Sequence, residues 1–204
     1  MKRAPVLVLL SSLLMGCLTH SEAAMPDYPG LLGPPEELTQ DFVWRQKIYA
    51  RWGERAHSFE AVLQKKGDTL RLIGLTPYGA KAFVMEQRGC AISRFQSFLP
   101  EELPFPPRFI LNDVHRAFLL NAQLPPRADG DHHFSWAGES VKESWSQGRL
   151  MVRVYSRDDG RPPGEILVRY HGGIVGLQPP AKITYANGWF GYVLEIETLV
   201  QQAL

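Results

Sequence analysis

The stretch that decides the fold is FVWRQKIYARW, residues 42–52. Its large apolar side chains share one parity and its basic side chains share the other. The apolar set is Phe42, Trp44, Ile48, Ala50 and Trp52, and the basic set is Arg45, Lys47 and Arg51. Because successive side chains of a strand point to opposite faces, this alternation predicts a half-buried β-strand with one aromatic face.

Similar strands and turns follow on both sides of the chain's middle. Residues 59–64 alternate again, Lys66-Gly67-Asp68 is typical of a turn, and further strands are predicted over 69–75 and 80–86. Alternation returns in residues 150–154, 166–170, 183–185 and 190–196, with Ala186-Asn187-Gly188 as a strong hairpin signal. No helix alternates with these strands, so we expect an antiparallel meander and not a parallel sheet.

One helix is predicted in the middle of the chain. Pro106-Pro107 can open it, and Ile110, Val114, Ala117 and Phe118 form an apolar stripe at helical spacing. Pro125-Pro126 would end it. A polar loop is expected next, containing Asp129, Gly130, Asp131, His132 and His133.

The hydrophobic periodicity does not decide how the apolar face of the sheet is covered. A sheet of about nine strands has a large apolar face, whereas a helix of about fifteen residues is only about 22 Å long. The sheet could curl into a partial barrel with a hydrophobic interior that holds a ligand. It could equally form a packed sandwich in which the aromatic residues are core.

The N-terminal residues predict export and lipidation. Lys2 and Arg3 precede an uncharged, mainly apolar run over residues 5–15, which is too short to span a membrane and is typical of a signal peptide. The run Leu13-Leu14-Met15-Gly16-Cys17 resembles the lipobox of bacterial lipoproteins, which implies cleavage after residue 16 and acylation of Cys17. Leu18 is not the aspartate of an inner-membrane retention signal, so the periplasmic face of the outer membrane is the expected location.

These features predict three parts of the chain: a signal peptide over 1–16, a lipidated cysteine and extended tether over 17–40, and a single domain over 41–204. Cleavage removes Lys2 and Arg3 and no acidic residue, so the formal charge falls from +1 to −1. A near-neutral domain argues against a nucleic-acid partner. Acylation of Cys17 would leave Cys90 unpaired, and we expect Cys90 to be a small buried residue.

The sequence offers little for catalysis or metal binding. Adjacent His132 and His133 lack the spacing of a zinc site, and Asp113 and His115 would not face each other on a helix. Nucleophile-elbow, phosphate-loop and zincin motifs are absent from the sequence. We therefore expect no metal, no cofactor and no enzymatic activity. A periplasmic hydrolase is the least favoured alternative.

Two longer stretches resemble known envelope lipoproteins. Residues 59–79, FEAVLQKKGDTLRLIGLTPYG, resemble the strand, turn, strand and Pro-x-Gly loop of the outer-membrane lipoprotein receptor of the Lol pathway. The Phe105-to-Val114 run and the Pro180-to-Tyr185 run follow in the same order. The run Leu103-Pro104-Phe105-Pro106-Pro107-Arg108, followed by Ile110-Leu111-Asn112-Asp113, more closely resembles an uncharacterised lipoprotein family, a domain of unknown function whose genes often sit in aryl-polyene clusters.

The resemblance implies a mainly antiparallel, LolB- or LppX-like half-barrel, unclosed, with a helical lid over an apolar cavity. It also implies that the loop Pro77, Tyr78 and Gly79 contacts the membrane. Arg108 could contact an anionic headgroup or form an ordinary surface ion pair. The expected cavity residues are Phe42, Trp44, Ile48, Trp52, Phe59, Leu63, Leu72, Phe83 and Met85, with Phe109, Ile110, Val114 and Phe118 in the lid.

The function expected from these features is that of a carrier. An outer-membrane-anchored periplasmic lipoprotein would bind, receive or transfer an amphiphile, either the acyl chains of a lipoprotein, such as palmitate, or an aryl-polyene lipid. Its partners would then be that lipid, the membrane and a periplasmic carrier protein. The alternative is a structural lipoprotein that docks an envelope protein through exposed aromatic residues such as Trp136, Trp145 and Trp189.

Overall fold

A computed structural model describes residues 28–100, 103, 105–120, 125–157 and 164–204. The signal peptide and Cys17 lie outside the described residues. Within them, eleven strands form one sheet. The strands are β1 (Phe42–Trp52), β2 (Arg55–Lys66), β3 (Thr69–Leu75), β4 (Lys81–Arg88), β5 (Ala91–Ser97), β6 (Gly130–Trp136), β7 (Glu139–Ser146), β8 (Arg149–Arg157), β9 (Ile166–Ile174), β10 (Lys182–Asn187) and β11 (Tyr192–Ala203).

The sheet is antiparallel throughout and has the order β5-β4-β3-β2-β1-β11-β10-β9-β8-β7-β6. The first and last strands of the chain lie side by side at its centre, with Phe42 opposite Ala203 and Trp52 opposite Tyr192. Strands β5 and β6 form the two edges, so the sheet is not closed into a barrel. The predicted fold class, an unclosed antiparallel β-sheet with one helical segment, is confirmed.

The helical segment begins at Pro106-Pro107, as the sequence predicted. Helix α1 spans Pro107–Val114, with Pro106 as its N-cap, and continues into a π-helical turn over His115–Leu119. Proline suits the first turn because its missing N–H would have no partner inside the helix there. None of the helices among the described residues is long and apolar enough to cross a membrane.

The predicted polar loop over residues 129–133 is wrong, because most of it belongs to β6, which pairs with β7. Strand β7 alternates in burial, but two of its buried positions hold Glu139 and Glu143. A search for alternating apolar residues misses such a strand. Trp145, expected as an exposed aromatic residue, is buried on the same face of β7.

Two further expectations fail for local reasons. Cys90 is exposed and not buried, because it lies in the turn between β4 and β5, where Gly89 has a positive φ of 52°. The described part of the predicted tether is docked onto the domain, since Tyr28, Leu32 and Leu38 are buried in the core. The proline-rich composition predicted an extended backbone for this segment. It did not predict that these apolar side chains would anchor the segment to the domain.

Candidate functional site

The predicted strand residues of the cavity share one face of the sheet, which we call the concave face. In the register, Trp44 lies opposite Leu63, Leu63 opposite Leu72, and Leu72 opposite Met85. Ile48 lies opposite Phe59 in the same way. Because directly opposed residues of paired strands point to the same side, these side chains share one mainly apolar face, with Gln46 between the Trp44 and Ile48 rows.

The helical segment runs alongside β1 over this face. Near its start, the ring of Phe105 lies 5.5 Å from that of Trp52. Near its end, the ring of Phe118 lies 5.8 Å from that of Trp44. The lid residues are thus placed over the concave face, from the tip of the β1–β2 hairpin to the opposite end of β1.

One end of the concave face is closed. Its apolar side chains are buried, and the rings of Phe42 and Trp44 are stacked with centroids 4.0 Å apart. Phe118 covers this end from the helical side. The buried members of the predicted set are Phe42, Trp44, Leu63, Leu72, Met85 and Phe118.

The other end is more exposed, and we call it the mouth: Ile48, Trp52 and Phe59 on the hairpin and Phe109 and Ile110 on α1. Trp44 is 2% exposed at the closed end of β1, whereas Trp52 is 50% exposed at the mouth. Ile48, Phe109 and Ile110 are partly buried and pack against the core, and Phe59 is partly buried. Phe83 and Val114, also partly buried, complete the predicted set. That these residues line a ligand cavity stays a prediction.

A buried polar cluster occupies the opposite flank of the interior, beneath the same helical segment. The carboxyl group of Asp113 accepts hydrogen bonds from the hydroxyl groups of Tyr28, Tyr185 and Tyr192, the one from Tyr185 at 2.6 Å. Arg116 lies 3.3 Å from the same carboxyl group. Burial raises the pKa of Asp113 and also those of the three tyrosines.

Two buried ion pairs extend this cluster toward the β6 edge. Arg116 lies 3.0 Å from Glu139, and Arg153 lies 2.5 Å from Glu143. Glu143 also pairs with Arg127 and accepts a hydrogen bond from the Trp145 indole. Nearby negative groups raise the pKa of both Arg116 and Arg153 against the opposing effect of burial. Both guanidinium groups therefore stay charged and paired.

Sequence reasoning missed this cluster, although a signal was present. Asn112, Asp113, His115 and Arg116 are polar and nearly consecutive on a helix that had to cover an apolar sheet. All four are buried. Such a helix predicts polar partners on the sheet, and the tyrosines of β8 to β11 supply several of them. Tyr155 and Tyr170 donate to the Arg116 carbonyl.

The prediction that Asp113 and His115 do not face each other is confirmed. His115 Nε2 lies 2.8 Å from Gln87 Oε1 on β4, whereas Asp113 points to the tyrosines of the opposite flank. Burial lowers the pKa of His115 to about 4. Its imidazole is neutral at physiological pH and joins the helical segment to the sheet.

The other polar candidates lie apart at the surface. His132 Nε2 lies 2.8 Å from the Ala128 carbonyl, and His133 Nε2 lies 2.5 Å from Ser140 Oγ. Among the described residues, no group of three or more His, Cys, Asp or Glu is placed to hold a metal ion. Arg108 is exposed at the first turn of α1, so its contact with a headgroup stays a prediction.

A model of one protein family matches residues 43–200, nearly the whole sheet and the helical segment between its halves. The family is described as protein of unknown function, DUF3261. The chain belongs to this family. The predicted membership in an uncharacterised family is therefore confirmed, whereas the association of DUF3261 with aryl-polyene clusters stays a prediction. No curated protein matches the sequence.

Several solved structures are similar to the DUF3261 chain. A LolA superfamily protein from Nitrosomonas europaea matches with 11% identity and a TM-score of 0.43, over 82% of this chain and 90% of its own. A domain described as outer membrane lipoprotein-sorting, from Vibrio parahaemolyticus, has 9% identity, a TM-score of 0.48 and coverages of 80% and 85%. A DUF1329 family protein from Desulfovibrio piger has 10% identity, a TM-score of 0.35 and the same coverages.

Proposed function

We propose that this DUF3261 protein is an outer-membrane-anchored periplasmic lipoprotein that binds, receives or passes on an amphiphile. The apolar chain of the ligand enters at the mouth and lies against the concave face. One observation carries the proposal: the concave face of β1 holds a large apolar side chain near each end, and their exposure rises from 2% at Trp44 to 50% at Trp52. Large apolar side chains left accessible at one end of a covered sheet are typical of a binding surface.

The energetics support such binding. Burying about 400 Å² of acyl surface at about 25 cal/mol per Å² contributes on the order of 10 kcal/mol before the costs of association. No bond has to be made or broken. Release then requires only an acceptor of comparable apolarity, such as a membrane or a second carrier.

Because the opposite flank of the interior is polar, we expect the ligand to bind on the β1 to β4 side. On that flank the carboxylates of Glu139 and Glu143 are paired with Arg116 and Arg153. An acyl chain placed there would separate buried ion pairs, and an unpaired buried charge costs several kcal/mol. On the β1 to β4 flank the buried Lys65 pairs with Asp41 at the closed end, beside Phe42 and away from the mouth.

The loop of Pro77, Tyr78 and Gly79 is proposed as a membrane contact. It joins β3 to β4, and the Tyr78 side chain is 97% exposed at its tip. The loop is held by a hydrogen bond from Thr76 N to Ala80 O at 2.8 Å and by one from Gly79 N to Thr76 O at 2.9 Å. A phenol on a rigid tip suits the membrane interface, because its ring is apolar and its hydroxyl stays hydrated.

The membrane contact is tested by flotation with phospholipid vesicles. Tyr78→Ser is expected to reduce the bound fraction without changing Tm, because the side chain makes no packing contact. Val200→Ser is the matched control, since Val200 is also exposed but lies on β11 away from this loop. Equal flotation of Tyr78→Ser and the unmodified protein would contradict the contact.

Anchoring through Cys17 is tested in cells. Metabolic labelling with an alkyne palmitate analogue is expected to mark the unmodified protein and not Cys17→Ser. Cys90→Ser is the control, because Cys90 is the other cysteine of the chain. Labelling that survives Cys17→Ser and disappears in Cys90→Ser would overturn the anchor.

Ligand binding is tested with a fluorescent fatty acid. Ile48→Glu places a carboxylate at the mouth and is expected to abolish uptake, because an acyl chain would have to lie against a charge. Val200→Glu is the control: Val200 lies opposite Arg45, on the other face of the sheet. Unchanged uptake by folded Ile48→Glu would remove the carrier function.

A docking lipoprotein is the second candidate function. Phe95 on β5 and the following Phe98 and Leu99 are exposed large apolar residues at one edge of the sheet. An exposed apolar edge suits a protein partner. Purification from the native host separates the two candidates: a stoichiometric lipid supports the carrier, and a stoichiometric protein without lipid supports docking.

A further inference from the structure

Two buried glutamines on the concave face differ in their hydrogen bonding. Gln87 on β4 is fully used: its Nε2 donates to the carbonyls of Gly33 and Gly89, both at 2.8 Å, and its Oε1 lies 2.8 Å from His115 Nε2. Gln46 on β1 is 3% exposed, yet its Nε2 finds no acceptor among the described residues. A buried N–H without an acceptor is a net cost to folding.

Gln46 lies in a row of small side chains. The register places it opposite Ala61, Ala61 opposite Gly74, and Gly74 opposite Phe83. The Phe83 ring lies over Gly74, where an added Cβ would come within 2.3 Å of it. Between the Gln46 side chain and the Phe83 ring, the face therefore carries only the methyl group of Ala61.

Rows of larger side chains flank this one on both sides. Toward the closed end lie Trp44, Leu63, Leu72 and Met85, and toward the mouth lie Ile48 and Phe59. The small row thus leaves a short gap at Ala61, between the Gln46 side chain and the Phe83 ring that covers Gly74. The pairing of β1 with β11 also shifts register between Arg45 and Gln46. Such irregularities re-aim side chains and are frequent beside functional sites.

We propose that Gln46 donates a hydrogen bond to the carbonyl or carboxyl oxygen of a bound acyl chain. This inference rests on the proposed function and specifies its ligand as a fatty acid or fatty acyl ester. The neutral amide donor matches a carbonyl oxygen. The apolar rows on either side match the methylene chain. A hydrocarbon without an oxygen would leave the amide unpaired and would gain nothing from it.

The stability of the ligand-free protein tests the unpaired amide first. Gln46→Leu is nearly isosteric and removes the orphan donor, so it is expected to raise Tm by about 2–4 °C. Gln87→Leu is the matched control and is expected to lower Tm, because it removes three hydrogen bonds that the structure shows. A loss of stability in Gln46→Leu would mean that the amide has a structural partner and would overturn the inference.

Binding tests the ligand class with three probes that share a fluorophore and chain length: a free fatty acid, its methyl ester and the alkane. Gln46→Leu is expected to weaken binding of the acid and the ester about five- to tenfold, the value of one hydrogen bond, and to leave the alkane within twofold. An effect confined to the acid would assign the donor to a carboxylate.

Two other outcomes separate the inference from the function beneath it. If all three probes bind and Gln46→Leu weakens none of them, or all of them equally, the role of Gln46 is wrong and the carrier function stands. If the unmodified protein binds none of the three, the carrier function itself is overturned, and the role of Gln46 with it.

Discussion

The hydroxyl of Tyr28 donates a hydrogen bond to the carboxyl group of Asp113, 85 positions further along the chain. Arg116 also donates to the Pro29 carbonyl, and Asn112 Nδ2 lies 3.4 Å from that same oxygen. This part of the predicted tether is thus fastened to the helical segment. The helical segment is consequently held by two parts of the chain, since the sheet tyrosines and Tyr28 donate to the same carboxyl group.

Tyr28→Phe is expected to lower the free energy of unfolding by about 1–2 kcal/mol, because it removes one of three phenol donors from a buried carboxyl group and keeps the ring. Urea denaturation measures the change. Tyr78→Phe is the control and should have no effect, since the Tyr78 hydroxyl is in solvent. Equal stability of the two variants would contradict the docking of this segment.

The stability of the protein should fall in mild acid because of His115. Its pKa is lowered to about 4 in the folded state by burial, whereas an unfolded histidine titrates near 6.5. Between these values only the unfolded state takes up the proton. The stabilising contribution is therefore present above pH 6.5 and lost as pH falls toward 4, by about 3 kcal/mol in full.

His115→Gln isolates this effect, because glutamine does not titrate. The difference in unfolding free energy between the two proteins should be constant above pH 7 and should shift toward the variant on acidification. Asp113 acts in the opposite direction, since burial raises its pKa, but it is present in both proteins and cancels. A difference that does not change with pH would show that His115 is not buried in its neutral form.

Gly74→Ala is expected to destabilise the protein by about 1–3 kcal/mol. In a strand interior, alanine is ordinarily more stabilising than glycine. The cause of the expected destabilisation is the Phe83 ring, whose Cε1 would lie 2.3 Å from the new Cβ. Combining it with Phe83→Leu should remove most of the cost, as a double-mutant cycle would measure. Additive effects would mean that the ring does not cover Gly74.

Arg153→Met is expected to cost about 3–5 kcal/mol, because it leaves Glu143 with less compensation in the interior. The two charged groups lie 2.5 Å apart and are both buried. The control is Arg45→Met, which breaks an exposed pair with Glu60 at 2.6 Å and should cost less than about 1 kcal/mol. Thermal denaturation of the two variants should therefore differ clearly, and similar Tm values would contradict the buried pair.

Several elements could be predicted because their signals are local. The alternation from Phe42 to Trp52 fixed a strand and its apolar face, and Asn187-Gly188 marked the turn between β10 and β11. Pro106-Pro107 marked the start of the helix. Strand β5 was missed because it is an edge strand with almost no burial on either face, which leaves no alternation to detect.

The sequence by itself determined the strands with apolar alternation, the turns, the helix start and the family, because steric preferences and side-chain period act between near neighbours. Only the tertiary structure decided which end of the concave face is closed. It also decided that Asp113, Glu139, Glu143 and Arg153 are interior residues. A buried charge is tolerated only when a partner compensates it, and the tyrosine that meets Asp113 from β10 lies 72 positions away, too far for a local pattern to reveal.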